Sequence, residues 1–400
     1  MSKGDFRCRI CGERTYNTLF QWNVPLAADV RAQAEEGIKY PIEPVVCMEC
    51  GHVQLKESIE YEYDDYLYTP FYSNKFKEYV EAFTDNLSQR PAKEKRIIEV
   101  GSSNGYLLEK MKNKGWKVLG FEPSSPLAAV AEEKGVHTEQ MYFGSEESLD
   151  CIKSWGTPDA VVIRHVMEHL DNLNGIVQMI SNILEDGIFV MEVPWLLKIV
   201  EGKQFYGFFN EHVSYFSVTA IRKLLNSHGL SIIDIKENDL EGGAIAVYAG
   251  KSDKWEENKE LLSSYLEREK ACCSIEKMKE FAREMNEQIQ KIKQLVMEKR
   301  ASGKSVAAWG AGQRGVSLLN ICELTSQEIS FIVDVNENYW WKYIAGDSNI
   351  QIVPPDFLRT HFVDYIIIFA TGYADEIISA NTEYLNQGGE FIKIIDEDTY

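Results

Sequence analysis

The chain has 400 residues, 44% of them hydrophobic, so two or three domains with a substantial buried core are expected. The 62 acidic residues outnumber the 42 basic ones and give a formal charge of -20, which disfavours nucleic acid as a partner because binding to phosphate backbones depends on Lys and Arg. No stretch reaches the roughly 20 apolar residues that span a bilayer, and no signal-peptide pattern is present, so we expect a cytoplasmic protein that does not bind membranes.

Four of the eight cysteines form two Cys-x-x-Cys pairs, Cys8 with Cys11 and Cys47 with Cys50. Each spacing lets a tight turn direct two thiolates at one ion, and two such turns supply the four tetrahedral ligands of a structural Zn²⁺. His52 is a weaker candidate because four cysteines already complete the shell. Unligated thiols or a redox pair are the alternative. The pattern predicts a zinc-binding lobe in the N-terminal part of the chain.

A predicted strand, a glycine turn and a helix follow one another in the next part of the chain. Residues 96–100 are apolar apart from Arg96 at their start and Glu99 near their end, the turn contains Gly101 and Gly105, and helical periodicity begins at Tyr106. Glycines at a helix N-terminus let the backbone approach a ligand closely. The spacing matches the Glu/Asp-x-Gly-x-x-x-Gly motif of class I methyltransferases. It therefore predicts an S-adenosylmethionine site in a Rossmann-like α/β domain.

The second predicted strand of this domain covers residues 117–122 and ends in Glu122, followed by Pro123. Its carboxylate lies 17 residues beyond Gly105, counted along the chain. An acidic side chain at the end of a second strand can accept hydrogen bonds from both ribose hydroxyls of a bound nucleoside. We expect Glu122 and Pro123 to line the donor site.

Residues 158–165 are predicted to form the fourth strand, which ends in His165 and is followed closely by Glu168 and His169. Open α/β sheets bind ligands beyond the carboxyl ends of their strands. We therefore expect His165 to contact the donor and the other two side chains to lie nearby. A surface or helix-start position beside the site is an equally good interpretation of these three residues.

Further segments complete a recognisable set with the cysteine pairs and the glycine turn. They are residues 47–55, 66–68, 210–217, 241–243 and 309–315, together with Ser73. Over nearly its whole length the chain resembles the sugar C-methyltransferases that act on nucleotide-linked deoxyketo sugars. The resemblance implies a zinc lobe at 1–65, a methyl-donor domain at 66–250, a helical linker at 251–300 and a Rossmann-like substrate-binding domain at 301–400.

The resemblance also implies an active site for carbon methylation. In that family a His-Glu-His-type run lies beside the keto group of the sugar, and it corresponds here to Asn210, Glu211 and His212. Carbon becomes nucleophilic when a proton α to the carbonyl is removed, which requires a base and hydrogen-bond donors. His212 is the candidate base, Glu211 the group that orients it or the sugar, and Tyr68 or Tyr215 the support for the enolate oxygen. An exposed loop pair is the alternative for Glu211 and His212.

Three departures from the family pattern leave the substrate open. Phe209 stands where a tyrosine is expected, and Asn210 where the first histidine is expected. The C-terminal segment that commonly carries Lys and Pro-Gly around a diphosphate reads Tyr-Trp-Trp-Lys-Tyr-Ile-Ala-Gly at residues 339–346, which include Lys342. The identity of the sugar is therefore not predicted. A SAM-dependent O-methyltransferase acting on a related nucleotide sugar or small metabolite is the alternative function.

Residues 253–300 are rich in Glu and Lys and carry apolar side chains at helical spacing. They are predicted to form one or two long helices that pack against the core. A coiled-coil dimer is less favoured because the heptads are irregular. A monomer or a weak homo-oligomer is expected.

Residues 305–309 are predicted to form a strand that enters a second glycine turn with Gly310, Gly312 and Gly315. Asp334 ends the next predicted strand 19 residues later. This is a full dinucleotide fingerprint and supports a rival function, a nicotinamide-dependent sugar oxidoreductase. Only about 100 residues follow the linker, which is short for a dinucleotide domain and a separate substrate domain.

The resemblance instead implies that this last domain helps to hold the nucleotide or diphosphate of the substrate. Gly310, Gly312 and Gly315 would shape the turn, and Arg314 and Lys342 would approach the anion. A structural relic that packs on the central domain is the alternative. A non-catalytic, zinc-dependent adaptor is harder to reconcile with two glycine-rich ligand sites.

Overall fold

The computed structural model describes seven ranges of the chain, which are residues 6–25, 30–34, 38–59, 63–64, 74–204, 207–344 and 349–394. Tyr68, predicted to be catalytic, lies outside them, as does Ser73. The structure describes the backbone of Arg314 but not its side chain. Within the described ranges, no helix combines the length and apolar character that a membrane crossing requires.

Short strands build the N-terminal lobe. They are β1 (Tyr16–Thr18), β2 (Trp22–Pro25), β3 (Val30–Arg31), β4 (Lys39–Ile42), β5 (Pro44–Cys47) and β6 (Val53–Leu55). Strands β2 and β4 pair antiparallel, and β5 pairs antiparallel with both β1 and β6. The second cysteine pair therefore lies on the turn that joins β5 to β6.

A seven-stranded sheet forms the centre of the molecule. Its strands are β7 (Arg96–Val100), β8 (Lys117–Phe121), β9 (Thr138–Glu139), β10 (Ala160–Arg164), β11 (Ile188–Pro194), β13 (Leu230–Asn238) and β14 (Ala244–Lys251). Their spatial order is β13-β14-β11-β10-β7-β8-β9. Strand β14 runs antiparallel to both neighbours, and the other neighbouring pairs are parallel.

Helices cover both faces of this sheet. They are α1 (Asn74–Ser88), α2 (Tyr106–Asn113), α3 (Ser125–Glu133), α4 (Glu146–Trp155), α5 (Leu173–Ile183), α6 (Leu196–Glu201) and α7 (Val218–Ser227). Neighbouring residues of β7 point to opposite faces, so Ile97 packs in the core with Leu108 of α2, and Ile98 in the core with Ile180 of α5. Burial on both faces explains why these strands are almost continuously apolar.

The predicted strands at 96–100, 117–122 and 158–165 are confirmed within one or two residues as β7, β8 and β10. The helix predicted to begin at Tyr106 is also confirmed. For each of the three strands, the signal was an apolar run of strand length that ends at a turn or a polar residue.

The long helices predicted for residues 253–300 are α8 (Lys259–Cys272) and α9 (Ile275–Ala301). The buried face of α9 packs in one apolar core with the N-terminal lobe, residues after β11 and the C-terminal region. Its buried side chains in that core are Met278, Phe281, Ala282, Met285, Ile289, Ile292 and Val296. The helix therefore packs against the core of its own chain, as predicted.

A second parallel sheet follows α9. Its elements are β15 (Val306–Trp309), α10 (Gln313–Ile321), β16 (Ile332–Val333), β18 (Ile352–Val353), β19 (Tyr365–Ile368), α11 (Ala374–Ala380), α12 (Thr382–Asn386) and β20 (Glu390–Lys393). The strand order is β18-β16-β15-β19-β20, with every neighbouring pair parallel. This is the predicted Rossmann-like arrangement, in which the second glycine turn joins β15 to α10.

Two strand pairings join regions that are distant in sequence. Strand β12 (Ser214–Tyr215) leaves the central domain and pairs with β6, which completes a four-stranded sheet in the N-terminal lobe. Strand β17 (Tyr343–Ile344) of the C-terminal region pairs with β3. Segments of the central and C-terminal regions therefore contribute to sheets of the N-terminal lobe.

Candidate functional site

The four predicted zinc ligands come together. The Sγ atoms of Cys8 and Cys50 are 3.6 Å apart. The Sγ atoms of Cys11 and Cys47 are 3.5 Å apart, and all four sulfurs lie within 4.8 Å of one another. A tetrahedral ion with Zn–S bonds of about 2.3 Å requires sulfur separations of about 3.8 Å. The residues present therefore fit one Zn²⁺.

The protonation of these thiols also fits a shared cation. The hydrogen bond with Cys50 lowers the pKa of Cys8 to about 4, while the same contact, together with burial, raises the pKa of Cys50 above its usual range. Burial raises the pKa of Cys11 to about 11. Without a cation the sulfurs share protons, because four thiolates this close repel one another. A divalent ion would allow all four to ionise.

The glycine turn after β7 lies against the end of β10. Gly101 has a φ of 67°, and a Cβ at this position would clash with Val166. The turn therefore needs glycine both for its backbone conformation and for the close approach of the two strands. Gly105, with a φ of 73°, is the N-cap of α2.

Glu99 lies beneath this turn and is only 5% exposed. Its Oε2 atom has no hydrogen-bond partner among the described residues. Burial raises the pKa of Glu99 to about 8, although the positive charge of Arg164 opposes the increase. A buried carboxylate oxygen that lacks a partner suits a ligand carrying positive charge, such as the ammonium or sulfonium groups of S-adenosylmethionine.

Glu122 lies at the end of β8, where the sequence placed it, and its carboxylate contacts the glycine turn. Its Oε2 accepts a hydrogen bond from the backbone N–H of Ser103 at 2.7 Å, and its Oε1 accepts one from that of Ser124 at 2.9 Å. Burial raises the pKa of Glu122, while these two bonds oppose the increase. Pro123 follows it and is half-buried. Each carboxylate oxygen keeps a second lone pair for a ribose hydroxyl.

His165 follows β10 directly and adopts a left-handed conformation with a φ of 51°, which is unusual for a residue other than glycine. Its Nε2 lies 3.2 Å from Oε1 of Glu192, and its Nδ1 lies 3.5 Å from Oε1 of Glu168. Burial alone would lower the pKa of His165, but the bonds to the two carboxylates outweigh it and raise the pKa to about 10. The ring is therefore an imidazolium at neutral pH.

Sequence reasoning missed Glu192, which is fully buried in β11. Its Oε2 accepts hydrogen bonds from the Tyr79 hydroxyl at 2.7 Å and from Nε of Arg164 at 3.0 Å. Asn238 approaches Oε1 at 3.4 Å. Burial disfavours the charged form, but Arg164 and His165 hold the pKa of Glu192 well below its usual range. A single carboxylate inside an otherwise apolar strand was the signal available in the sequence.

Two hydrogen bonds join the segment that contains residues 210–212, predicted to be catalytic, to the residues just after β10. The backbone N–H of Val213 donates to the carbonyl of Glu168 at 2.8 Å, and Nδ1 of His169 donates to the carbonyl of Glu211 at 2.9 Å. The rings of His169 and His212 meet edge to face, with centroids 4.9 Å apart. The structure therefore brings His212 to the carboxyl edge of the sheet that carries the first glycine turn.

The other members of the run are buried and face the N-terminal lobe or the surrounding loop. Asn210 is 2% exposed, and its Nδ2 lies 3.5 Å from the carbonyl of Pro25 in β2. Nearby, Ser214 Oγ lies 3.2 Å from Nε2 of the buried His52. Glu211 is 8% exposed. These contacts fix residues 210–214 against the N-terminal lobe, and the group of side chains that could hold a metal there is the four cysteines without His52.

The Tyr215 hydroxyl is bonded to the backbone of its own loop. It accepts a hydrogen bond from the N–H of Phe209 at 3.1 Å and lies 3.3 Å from the Phe209 carbonyl, to which it donates. Burial raises the pKa of Tyr215 above its usual range. A direct contact with substrate would require the hydroxyl to leave these bonds. The geometry therefore favours Tyr215 as a support for the loop that carries His212.

The second glycine turn repeats the arrangement of the first. Oδ2 of Asp334, just after β16, accepts a hydrogen bond from the backbone N–H of Ala311 at 2.6 Å. Gly312 is the exposed N-cap of α10, and a Cβ there would meet open space. A Cβ at Gly315 would instead clash with the carbonyl of Gly310, so glycine is required where α10 crosses the turn. Space for a ligand is therefore available beside Gly312.

Lys342 lies apart from this turn in the chain, between the 3-10 helix Glu337–Tyr339 and β17. It is half-buried, and its carbonyl accepts a hydrogen bond from the N–H of Ile352 at 2.8 Å. The described contacts thus fix its backbone position beside β18, and its predicted contact with an anion stays a prediction.

Comparisons with known proteins agree with this arrangement. Residues 72–235 match a family model described as a methyltransferase domain, and residues 239–395 match one described as a C-methyltransferase C-terminal domain. The chain is 30% identical over 401 residues to the C-methyltransferase NovU of Streptomyces niveus, a similarity that covers 98% of this chain and 95% of that protein.

Solved methyltransferase structures resemble less than half of the chain. The magnesium protoporphyrin IX methyltransferase of Synechocystis PCC 6803 with bound SAM is 14% identical with a TM-score of 0.33, covering 44% of this chain and 77% of that one. A SAM-dependent methyltransferase from Archaeoglobus fulgidus is 17% identical with a TM-score of 0.37, covering 44% and 94%. Similarity this low carries no argument about substrate.

The strand order, the glycine turn and the matched methyltransferase domain define a class I, SAM-dependent methyltransferase. Because its similarity to NovU extends over both chains and residues 239–395 match the C-terminal domain model, the protein belongs to the C-methyltransferase family.

Proposed function

We propose that this enzyme methylates a carbon atom α to the keto group of a nucleotide-linked deoxysugar, with His212 as the general base. The observation that carries the proposal is the position of His212 at the carboxyl edge of the donor-binding sheet, where it packs against His169. Ligands of open α/β sheets bind at this edge. A base there can reach a substrate held next to the methyl donor.

The donor is proposed to bind at the first glycine turn. Glu99 would face its positive charge, Gly101 and Gly105 would allow close backbone contact, and Glu122 would accept bonds from the ribose hydroxyls. Pro123 and His165 would border the site. When bound, S-adenosylmethionine supplies an electrophilic methyl group on a sulfonium sulfur.

In the proposed reaction, a ring nitrogen of His212 removes the proton from the α carbon, and the electron pair of the broken C–H bond forms an enolate. The nucleophilic carbon then gains the methyl group, and the C–S electron pair remains on sulfur. Glu211 would orient the sugar or the base. Hydrogen-bond donors at the keto oxygen would stabilise the enolate, a role proposed for Tyr68 with Tyr215 holding the loop.

The nucleotide part of the substrate is proposed to bind at the second glycine turn. The open space beside Gly312 supports this assignment, as does the N-terminus of α10. Arg314 and Lys342 would offer charge to a diphosphate, and Gly310 and Gly315 would shape the turn. The Zn²⁺ proposed at the four cysteines would stabilise the N-terminal lobe and, through it, the loop that carries His212.

The proposed division of the chain is a zinc lobe at 1–65, a donor domain at 66–250, a linker at 251–300 and a substrate domain at 301–400. Separate sheets within the first, second and fourth parts support it. Strands β12 and β17 each pair with a strand of the zinc lobe, so we expect these parts to unfold together.

The proposal is tested with a nucleotide-linked deoxyketo sugar in D₂O. Wild-type enzyme should exchange the α hydrogen, and NMR of the product should place the new methyl group on carbon. His212→Asn should lower kcat by about 10²-fold or more with unchanged donor affinity. His137→Asn is the matched control, since His137 is 57% exposed in the same domain. A methyl group on oxygen, or a fully active His212→Asn, would show that the proposal is wrong.

A further inference from the structure

Glu168 is a buried carboxylate for which the proposed chemistry has no role so far. It is 1% exposed and lies in the short 3-10 helix Met167–His169, directly after β10. Apart from the 3.5 Å contact of Oε1 with Nδ1 of His165, neither Oε1 nor Oε2 has a hydrogen-bond partner within the described parts of the chain. A buried carboxylate is costly without compensating positive charge. Its neighbours therefore indicate its function.

Three histidine rings surround this carboxylate. A side-chain oxygen of Glu168 and ring nitrogens of His169 and His212 all lie within 4.8 Å of one another. On another side, Nδ1 of His165 is 3.5 Å from Oε1. A carboxylate offers about four lone-pair positions, so an interaction with His165 leaves capacity for a second ring.

Backbone contacts hold Glu168 and His212 at this separation. The carbonyl of Glu168 accepts the N–H of Val213, the residue that follows His212. The carbonyl of Glu211, the residue that precedes His212, accepts Nδ1–H of His169. His212 is therefore bracketed by two bonds to the same 3-10 helix, and neither segment can move away without breaking them.

We propose that Glu168 is a positioning residue that stabilises the protonated form of His212 after it has taken a proton from the substrate. The inference rests on the proposed function and extends it to a chain of alternating charges. Arg164 and His165 carry positive charge, Glu192 lies between them, and Glu168 connects His165 to the base. The alternation places positive charge beside each buried carboxylate.

The groups that face each member of the pair can be named. His212 faces Glu168 and His169 on the 3-10 helix, and Phe209 and Tyr215 on its own segment. Tyr63 approaches from the N-terminal side, with its hydroxyl 3.4 Å from Nδ1 of His169.

His165 and Glu192 are the charged groups behind Glu168. Glu168 and Glu192 hold His165 as a cation, since their interactions raise the pKa of His165 to about 10. It therefore stays charged through the neutral range.

The pair is tested without substrate by NMR titration of protein labelled in its seven histidines. The His212 signal is identified as the one missing from His212→Asn. In Glu168→Gln the titration midpoint of His212 should fall by about one pH unit, because an opposite charge nearby favours the imidazolium. Glu168→Asp should recover part of the shift. An unchanged midpoint in Glu168→Gln would overturn the proposal.

An exposed pair provides the matched control. Nδ1 of His137 lies 3.6 Å from Oε1 of Glu132, and both side chains are more than half exposed. Glu132→Gln should leave the His212 midpoint unchanged and shift that of His137 only slightly, because water screens the charge. If neither Glu168 variant folds, a wild-type midpoint of His212 below the ordinary value of about 6.5 would contradict the proposal.

Kinetics provide a second measurement that a merely structural role would not change. In Glu168→Gln the acidic limb of the kcat profile should move to lower pH, since His212 becomes neutral more easily. The plateau should fall about tenfold because a weaker base removes the proton more slowly, with KM nearly unchanged. A lower plateau with an unmoved limb would overturn the proposal. A shifted midpoint with methyl transfer to oxygen would refute the carbon-methylation proposal and leave the pair intact.

Discussion

Arg164 and Glu192 form a buried ion pair at the carboxyl ends of β10 and β11, with Nε of the arginine 3.0 Å from Oε2 of the glutamate. The two residues are opposite each other in the parallel pairing of the strands. Tyr79 reaches the same carboxylate from α1, and His165 reaches it from the end of β10. The pair thus joins a helix, two central strands and the predicted catalytic edge.

Glu192→Gln should lower the free energy of unfolding by about 3 to 5 kcal/mol, because removal of one partner leaves Arg164 buried and uncompensated. Chemical denaturation at neutral pH measures the change. Asp150→Asn is the control, since the ion pair of Asp150 with Lys153 is exposed and should be worth at most about 0.5 kcal/mol. Equal effects of the two substitutions would contradict the importance of the buried pair.

The imidazolium of His165 predicts a loss of stability on the alkaline side. Its pKa is about 10 in the folded protein and about 6.5 when unfolded, so its contribution is complete below pH 6.5 and disappears as the pH rises through 10. The difference in unfolding free energy between wild type and His165→Asn should shrink by about 2 to 4 kcal/mol between pH 6 and pH 9.5.

His228 provides a control of opposite sign for this pH dependence. Burial lowers the pKa of His228, so its contribution is present above its unfolded pKa and is lost as the pH falls. The stability difference between wild type and His228→Asn should therefore increase with pH. A decrease for both variants would show that His165 is not the cause of the alkaline loss.

The cysteine cluster predicts one Zn²⁺ per chain. Cys8→Ser should give poorly folded protein rather than folded but inactive enzyme, because a closed site supplies folding free energy. Elemental analysis with circular dichroism measures both effects, and removal of metal from wild type with a chelator should have the same result. Cys151→Ser, which changes a cysteine outside the cluster, should keep both metal and fold. Absence of stoichiometric metal from wild type would refute the prediction.

Glu122→Ala should weaken binding of S-adenosylmethionine by about 1 to 3 kcal/mol, the scale of losing hydrogen bonds to a charged group. Calorimetry measures the affinity. Glu122→Gln keeps an oxygen that can accept the Ser103 or Ser124 N–H and should lose less. An affinity unchanged in both variants would remove Glu122 from the donor site.

Local sequence patterns predicted the elements but not the polar network between them. Strands β7, β8 and β10 were predictable because apolar runs of strand length end at glycine or at a polar residue. The bond from Tyr79 to Glu192 joins residues 113 positions apart, and no spacing rule reaches that far. Similarly, the sequence placed Tyr215 near the chemistry but did not show that its hydroxyl is bonded to the backbone of Phe209.

The pairing of β12 with the N-terminal lobe could not be predicted from local sequence patterns either. Ser214 and Tyr215 belong in sequence to the central domain, yet they pair with Gln54 and Val53 of the N-terminal lobe. A two-residue strand has no periodicity to detect. Its partner becomes identifiable only when the fold brings β6 alongside.

Glu99→Gln should have opposite effects on stability and on donor binding. Burial raises the pKa of Glu99 from 4.5 to about 8, so ionisation penalises the folded state increasingly as the pH rises between these values. The neutral amide removes the penalty, and the ligand-free variant should be more stable than wild type by about 1 kcal/mol or more at pH 8. The same change removes the negative charge proposed to face the donor, so affinity for S-adenosylmethionine should fall.

At pH 5, where wild-type Glu99 is protonated in the folded state, the stability advantage of Glu99→Gln should largely disappear. Thermal unfolding at pH 5 and pH 8, with and without donor, separates the two effects in one set of measurements. A variant that is less stable at pH 8 and binds the donor as tightly as wild type would show that Glu99 is a structural residue and not part of the donor site.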